Sequence, residues 1–213
     1  MSTAYRDRAA AGDALADLLS GYAGRPDTVV LALVRGGVPV AARVAERLRA
    51  PLDVLVVRKL GVPWAPEVAF GALASGGVQV LNEQVVSRLE PADIDAVTAA
   101  EAGELERRER RYRGDRPPVP IDQRVVIIVD DGLATGATAR AAVAAVRRLG
   151  ATRVIVAVPV GSPEALAAVG ADADEVVCPL APPDFGAVSR YFADFHQVSD
   201  DEAAALLNAP GTV

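Results

Sequence analysis

The chain is poor in the residues that build cross-linked or metal-bound scaffolds. Among 213 residues it has one cysteine, one methionine, one tryptophan and one histidine, and aromatics make up only 4%. Cys178 alone can form no intrachain disulfide and no zinc site with two or more thiolates. That usage suits a reducing compartment. Because Cys178 follows a short apolar run, it is expected to be buried and inert. His196 is expected to be a surface or packed residue and receives no role. No apolar run approaches the ~18 residues of a membrane-spanning helix. Met1–Asp7 is polar and lacks the apolar core of a secretory leader. Cytoplasm is therefore the expected compartment, with no membrane partner.

Positive charge is also in deficit, with 22 Lys and Arg against 28 Asp and Glu and a formal net charge of −6. A chain built to grip nucleic acid shows the opposite balance, so a nucleic-acid partner is not expected. Neither Gly-x-x-x-x-Gly-Lys-Thr/Ser nor Gly-x-Gly-x-x-Gly occurs. Their absence argues against a P-loop kinase or a dinucleotide-binding module.

What is abundant is aliphatic. Hydrophobic residues make up 51%, carried by Ala, Val and Leu, which suits a buried parallel sheet flanked by helices. The length fits one α/β domain with a small appendage. Helical spacing spans about residues 6–21, 40–48 and 137–149, and short apolar runs at 29–33, 52–57, 125–129 and 154–160 read as buried strands. Val176-Val177 marks another short strand. Phe70–Ala74 and Val78–Leu81 read as a hairpin across Gly76-Gly77. Gly61, Pro63 and Pro66 make Arg58–Glu67 read as irregular. Asn82, Ser162 and Ser199 are set to cap helices. Ala99–Arg113 is dense in Glu and Arg, with pairs such as Glu104–Arg107 and Glu106–Arg110, and reads as a solvated, salt-bridged helix.

Strands alternating with helices imply a doubly wound, mostly parallel sheet, in which ligands bind beyond the carboxyl ends of the strands. The loops there carry unusual residues. Five apolar residues, Val125–Val129, deliver Asp130 and Asp131 to a strand end. Gly132-Leu133-Ala134-Thr135-Gly136-Ala137-Thr138 then opens a helix. A helix N-terminus has free N–H groups and a positive dipole end, which suit a phosphate. The two carboxylates, read as lying on an exposed loop, can accept hydrogen bonds from the hydroxyls of a sugar whose phosphate fills that loop. Arg35-Gly36-Gly37, after the first strand, is a second candidate anion loop.

An apolar strand, two acidic residues, a short spacer and Thr-Gly-x-Thr together resemble the signature of the type I phosphoribosyltransferases. The order of elements from about Val29 to Val177 is similar as well. The chain also resembles small bacterial phosphoribosyltransferase-domain proteins of unassigned substrate. The shared features are Arg-Gly-Gly-Val after the first strand, Val-Arg-Lys-x-Gly after the second, and Asp-Phe and Tyr-x-x-Asp-Phe near the end. The resemblance implies a core at about 29–178, a helical insertion at about 82–115 and a C-terminal hood at about 179–213.

It further implies roles. Asp130 and Asp131 would bind the ribose hydroxyls. Gly132, Ala134, Thr135, Gly136, Ala137 and Thr138 would hold the 5-phosphate. Arg35, Gly36 and Gly37 would form the pyrophosphate loop, and Arg58 and Lys59 would add cations to it. Gly61–Glu67 stands where the family has a mobile loop that closes over the reaction. Phe185 and Tyr191 stand where a hood covers the acceptor, although aromatics near a domain's end are more often core. Some purine-salvage members carry an acidic base inside the phosphate loop. Here that position is Ala134, which puts a hypoxanthine/guanine-type assignment in doubt and leaves Glu67 as the candidate acid. The implied reaction joins phosphoribosyl pyrophosphate to a nitrogen acceptor, most often a nucleobase, and releases pyrophosphate. Mg²⁺ would be held through the ligand and water near Asp130 and Asp131 rather than in an all-protein cage. Homodimers are frequent in the family. The alternative is a non-catalytic regulatory protein that binds the same ligand. Its only candidate partner surface is Ala99–Arg113, and no helix-turn-helix is present.

Overall fold

The computed structural model describes residues 4–209. Five strands form an all-parallel sheet: β1 (Thr28–Leu33), β2 (Leu52–Leu55), β6 (Val125–Val129), β7 (Arg153–Ala157) and β8 (Glu175–Val177). Their spatial order is β2-β1-β6-β7-β8. Side chains alternate across this sheet because the strand period is two. Val30, Ala32, Ile127 and Val129 face one side, against α1 (Arg8–Leu18), α2 (Gly37–Leu48) and α7 (Asp200–Leu207). Leu31, Leu33, Val126 and Ile128 face the other, against α5 (Ala137–Arg148) and α6 (Pro163–Gly170). Burial on both faces is why these strands read as continuous apolar runs. Each fully buried Val, Leu or Ile stabilises the fold by about 1.5–3 kcal/mol relative to exposure.

The winding reverses between β1 and β6. The chain leaves β1 through α2 to β2 on one side, and leaves β6 through α5 to β7 on the other. In-register pairing of Ala32 with Val129 brings the two strand ends level. The segments after Leu33 and after Val129 therefore diverge from one crevice, the usual ligand position in open α/β sheets.

A second sheet corrects the sequence reading. Arg58–Glu67 is not irregular. It belongs to the antiparallel sheet of β3 (Val57–Val62), β4 (Ala65–Ala74) and β5 (Val78–Leu81). The breakers are absorbed by a bulge. Ala65 pairs with Val62 and Ala69 with Gly61, so Pro66–Val68 bulge outward, where a missing N–H costs no ladder bond. The hairpin expected at Phe70–Leu81 is the β4–β5 half of this sheet.

Between β5 and β6 lie α3 (Glu83–Val86) and the 23-residue α4 (Pro91–Arg113). Only Leu105, Tyr112 and Arg113 of α4 are buried. The expected Glu104–Arg107 and Glu106–Arg110 pairs form at 2.8 and 3.2 Å. Three contacts tie α4 down. Arg113 Nε donates to buried Asp53 at 3.0 Å, the Tyr112 hydroxyl donates to Asp200 at 2.7 Å, and Arg58 Nε donates to Glu101 at 2.7 Å. Asn82, Ser162 and Ser199 accept from Gln84, Ala165 and Glu202 as helix caps. No helix among the described residues is long and apolar enough to cross a membrane.

Candidate active site

The segment after β6 is held rigidly at its start and open at its end. Leu133 N–H donates to Val160 O, Ser162 N–H donates to Leu133 O, and the Ser162 hydroxyl donates to Ala134 O at 2.9 Å. Leu133 is buried, while Ala134, Thr135, Ala137 and Thr138 are exposed. Gly136 turns the chain into α5 at φ +75°, a left-handed conformation that disfavours any side chain. Arg140 N–H is the first in the helix to reach a backbone acceptor, Gly136 O. The N–H groups of Thr138 and Ala139 have no hydrogen-bond partner among the described residues. Free donors, a dipole end and two exposed threonines thus lie together at the open start of α5.

Asp130 and Asp131 are half-buried, not on an exposed loop as the sequence suggested. Asp130 Oδ1 accepts from Asp131 N–H at 2.9 Å. Burial, and then the neighbouring Asp131 charge, push the Asp130 carboxyl well above its ordinary range. Burial raises Asp131 too, but Arg8 opposes the shift. Arg8 Nε and Nη2 both donate to Asp131 Oδ2, at 2.9 and 2.8 Å, and Nη1 donates to His196 O at 2.8 Å. Its guanidinium also lies 3.8 Å from the centre of the Phe195 ring. Arg8 therefore links the N-terminal helix, the acidic pair and the C-terminal segment. Sequence reading missed it, and no local signal marks a residue 123 positions from its partner.

The loop after β1 faces this pair across the crevice. A Cβ on Gly36 would stand 2.2 Å from Asp131 Oδ2, so only glycine lets the two loops approach this closely. The Val34–Arg35 peptide is cis. Arg35 and Gly36 border a cavity of about 490 Å³, together with Arg8, Asp131, Arg108 and the segment Phe195–Val198. A smaller hollow of about 290 Å³ lies along the C-terminal end of α4, on the charged Ala99–Arg113 surface, and holds none of the residues expected to bind the sugar ligand.

The other candidates lie apart from that cavity. Arg58 and Lys59 do not end β2 but sit in β3 of the second sheet, with Arg58 paired to Glu101 and Lys59 exposed. Glu67 is exposed in the β4 bulge. Phe185 and Tyr191 stack on each other at 5.8 Å in a small cluster with Ala11, Val160 and Phe192. The neighbouring Val188 packs where a Gly132 side chain would project. The segment that does line the cavity is Phe195–Val198, at the end of the Tyr-x-x-Asp-Phe pattern. The sequence singled that pattern out without giving Phe195 a role. His196 sits between Glu202 and Asp194, at 3.0 and 3.3 Å, and these carboxylates raise its imidazole above the ordinary range. Cys178 is half-buried rather than buried. Its thiol donates to Leu180 O at 3.2 Å and is pushed up by desolvation.

Two adjacent carboxylates beside an open helix N-terminus suit a Mg²⁺ carried in on phosphate oxygens, since that ion keeps several waters and needs few protein ligands. Asp131 offers it only one oxygen free of a guanidinium, because Arg8 holds Oδ2.

Fold and site together define a doubly wound α/β protein with an open helix N-terminus beside an acidic pair, at the point where the strand order reverses. Comparison with known proteins gives this class its family. The phosphoribosyl transferase domain family matches residues 2–195, so the chain belongs to that family. A protein provisionally named as a phosphoribosyl transferase, Rv0571c of Mycobacterium tuberculosis strain H37Rv, is 50% identical over 206 residues. The match covers 96% of this chain and 46% of that protein. The same holds for its counterpart in strain CDC 1551. The chain thus spans about half the length of the curated relatives it matches. The crystal structure of TT1426 from Thermus thermophilus is 44% identical, with a TM-score of 0.86, and the match covers 95% of this chain and 97% of that one.

Proposed function

We propose that the chain transfers phosphoribose from phosphoribosyl pyrophosphate to a nitrogen acceptor, a nucleobase, with release of pyrophosphate. The observation that carries this reading is the convergence of the Asp130–Asp131 pair and the open N-terminus of α5 opposite Arg35-Gly36, in one crevice. The open helix start at Thr135–Thr138 takes the 5-phosphate in this reading. Asp131 Oδ1, and Asp130 once ionised, accept from the ribose hydroxyls. Arg35 and the Gly36-Gly37 backbone take the pyrophosphate. Breaking the bond at the anomeric carbon puts positive charge on the sugar and negative charge on the leaving group. The two carboxylates oppose the first and the loop donors the second, which is catalysis by fixed electrostatics. Mg²⁺, when bound, would neutralise pyrophosphate oxygens and strengthen them as a leaving group.

Closure of the three-stranded arm over the crevice would bring Lys59 and Glu67 toward the leaving group and the acceptor and exclude water. Arg58 would have to exchange Glu101 for the ligand. Phe185 and Tyr191 support the hood from behind rather than stacking on the acceptor. A cytoplasmic setting and a homodimer accord with this reading.

Calorimetric titration with phosphoribosyl pyrophosphate and Mg²⁺ tests it, followed by pyrophosphate release with a panel of bases. Binding with release is the expected result. Failure to bind the sugar ligand at all would overturn the reading.

A further inference from the structure

We propose that Arg108, on the insertion helix α4, makes the cavity selective for a planar ring acceptor bearing a carboxylate. The inference rests on the transfer reading above and names the substrate class of the same site.

The argument is one of charge. Three guanidiniums border the cavity, those of Arg8, Arg35 and Arg108, against the single carboxylate of Asp131. Arg8 is spent on Asp131 through two hydrogen bonds. Arg35 belongs to the loop that takes the pyrophosphate. Arg108 has only Nε engaged, by Glu104 at 2.7 Å. Its two Nη groups, four of the five donors of a guanidinium, have no partner among the described residues.

Glu104 does not cancel that charge, because it also accepts two bonds from Arg107, at 2.8 and 2.9 Å. Two cations share one anion. The other acids packed nearby are engaged by other groups. Asp200 accepts from the Tyr112 hydroxyl and lies 3.6 Å from Arg35, Asp201 pairs with Arg111, and Glu202 and Asp194 hold His196. What is left at the cavity wall is a planar fork with both Nη groups unengaged among the described residues.

A guanidinium fork matches a carboxylate bidentately. The rest of the wall suits a ring. Val34, Phe195 and Val198 give apolar surface, and the Gln197 carboxamide, which has no hydrogen-bond partner among the described residues, can read a ring C=O or N–H. A neutral base would leave the Arg108 fork facing water. The Arg108 side chain is 35% exposed. The discrimination is therefore set at about 10- to 100-fold, below that of a fully desolvated site.

The test measures pyrophosphate release with orotate, nicotinate, quinolinate and anthranilate against adenine, guanine, hypoxanthine and uracil. It is run on wild type, Arg108→Gln and Arg108→Lys, with phosphoribosyl pyrophosphate affinity measured separately by calorimetry. A carboxylate acceptor is expected to react at least tenfold more efficiently than any neutral base. Arg108→Gln is expected to lower that kcat/KM by about 10- to 100-fold, chiefly through the acceptor KM. Arg108→Lys should retain part of the efficiency, and neither variant should shift the sugar-ligand affinity more than about twofold, since a solvated fork that does not touch that ligand contributes little to it. The inference is overturned if the best acceptor is neutral, or if no acceptor reacts although the sugar ligand binds. It is also overturned if Arg108→Gln weakens the sugar ligand as much as the acceptor. A wild-type protein that fails to bind phosphoribosyl pyrophosphate instead removes the transfer reading itself.

Discussion

The carboxyl end of the five-stranded sheet and the three-stranded arm show two ways of presenting polar groups. At the sheet end, Asp130, Asp131, Arg8 and Gly36 sit on or against elements buried on both faces, and their positions are over-determined. Gly36 tolerates no Cβ, and Arg8 uses all its nitrogens on Asp131 and His196. In the arm, Lys59 and Glu67 are exposed, and Trp64 and Val68 are 66% and 49% exposed. Binding groups on rigid elements are pre-organised, whereas exposed side chains on the outer face of an arm have room to move on and off a ligand. In the proposed closure the sheet end supplies the fixed half of the site and the arm the movable half.

The sharpest break of that comparison is the double change Asp130→Asn, Asp131→Asn. Loss of two charge-assisted acceptors, each worth about 1.5–3 kcal/mol, should weaken phosphoribosyl pyrophosphate binding by about 10²–10⁴-fold in calorimetry. Affinity unchanged in the folded variant would remove the ribose role from both residues.

Arg8→Met comes next. It strands a half-buried carboxylate, and breaking such a pair costs up to about 3–5 kcal/mol when burial is complete, so a smaller loss is expected in urea unfolding. Binding should also change with pH. Arg8 holds the Asp131 pKa down against burial, so without it the carboxyl protonates at higher pH and ligand affinity should start to fall at a higher pH than in wild type. An unshifted profile would make Arg8 a purely structural residue.

A smaller and opposite effect is expected from Asp130→Asn alone. The folded-state pKa of Asp130 is raised above its ordinary 3.8. Its contribution to stability is therefore most favourable below that value and is lost as pH rises through the folded pKa. The cost grows as pH rises above 3.8, and asparagine removes it. Tm at pH 7 should rise, by about 2–4 °C for each kcal/mol regained. A fall in Tm would mean that the Asp131 N–H bond outweighs the desolvation.

Trp64→Ala is the mildest. At 66% exposure it should alter stability by no more than about 0.5 kcal/mol. If the arm closes during turnover, kcat should fall several-fold with ligand affinity unchanged. Equal kcat values would confine the site to its fixed half.

The fold was legible where local pattern and tertiary burial agree. Val125–Val129 reads as a buried strand because both its faces are covered, and the caps at Asn82, Ser162 and Ser199 are local hydrogen bonds within three residues. The arm was misread because Gly61, Pro63 and Pro66 signal a break locally, while pairing with β4 and a bulge accommodates them. Arg58 was read as a free cation because Glu101, its partner, is 43 positions away.

By itself the amino-acid sequence determined the parallel sheet, through the alternation of strands and helices along the chain, and the acidic pair and open helix start, which arise within about fourteen residues through strand period and glycine. Tertiary structure alone decided that Arg8 reaches Asp131 and that Arg108 and Phe195–Val198 border the same cavity. It also decided that Phe185 and Tyr191 stack on each other. These contacts join residues far apart in the chain. Their pairing follows from which helix faces cover which sheet face, a long-range outcome of burying the core that no local window of sequence records.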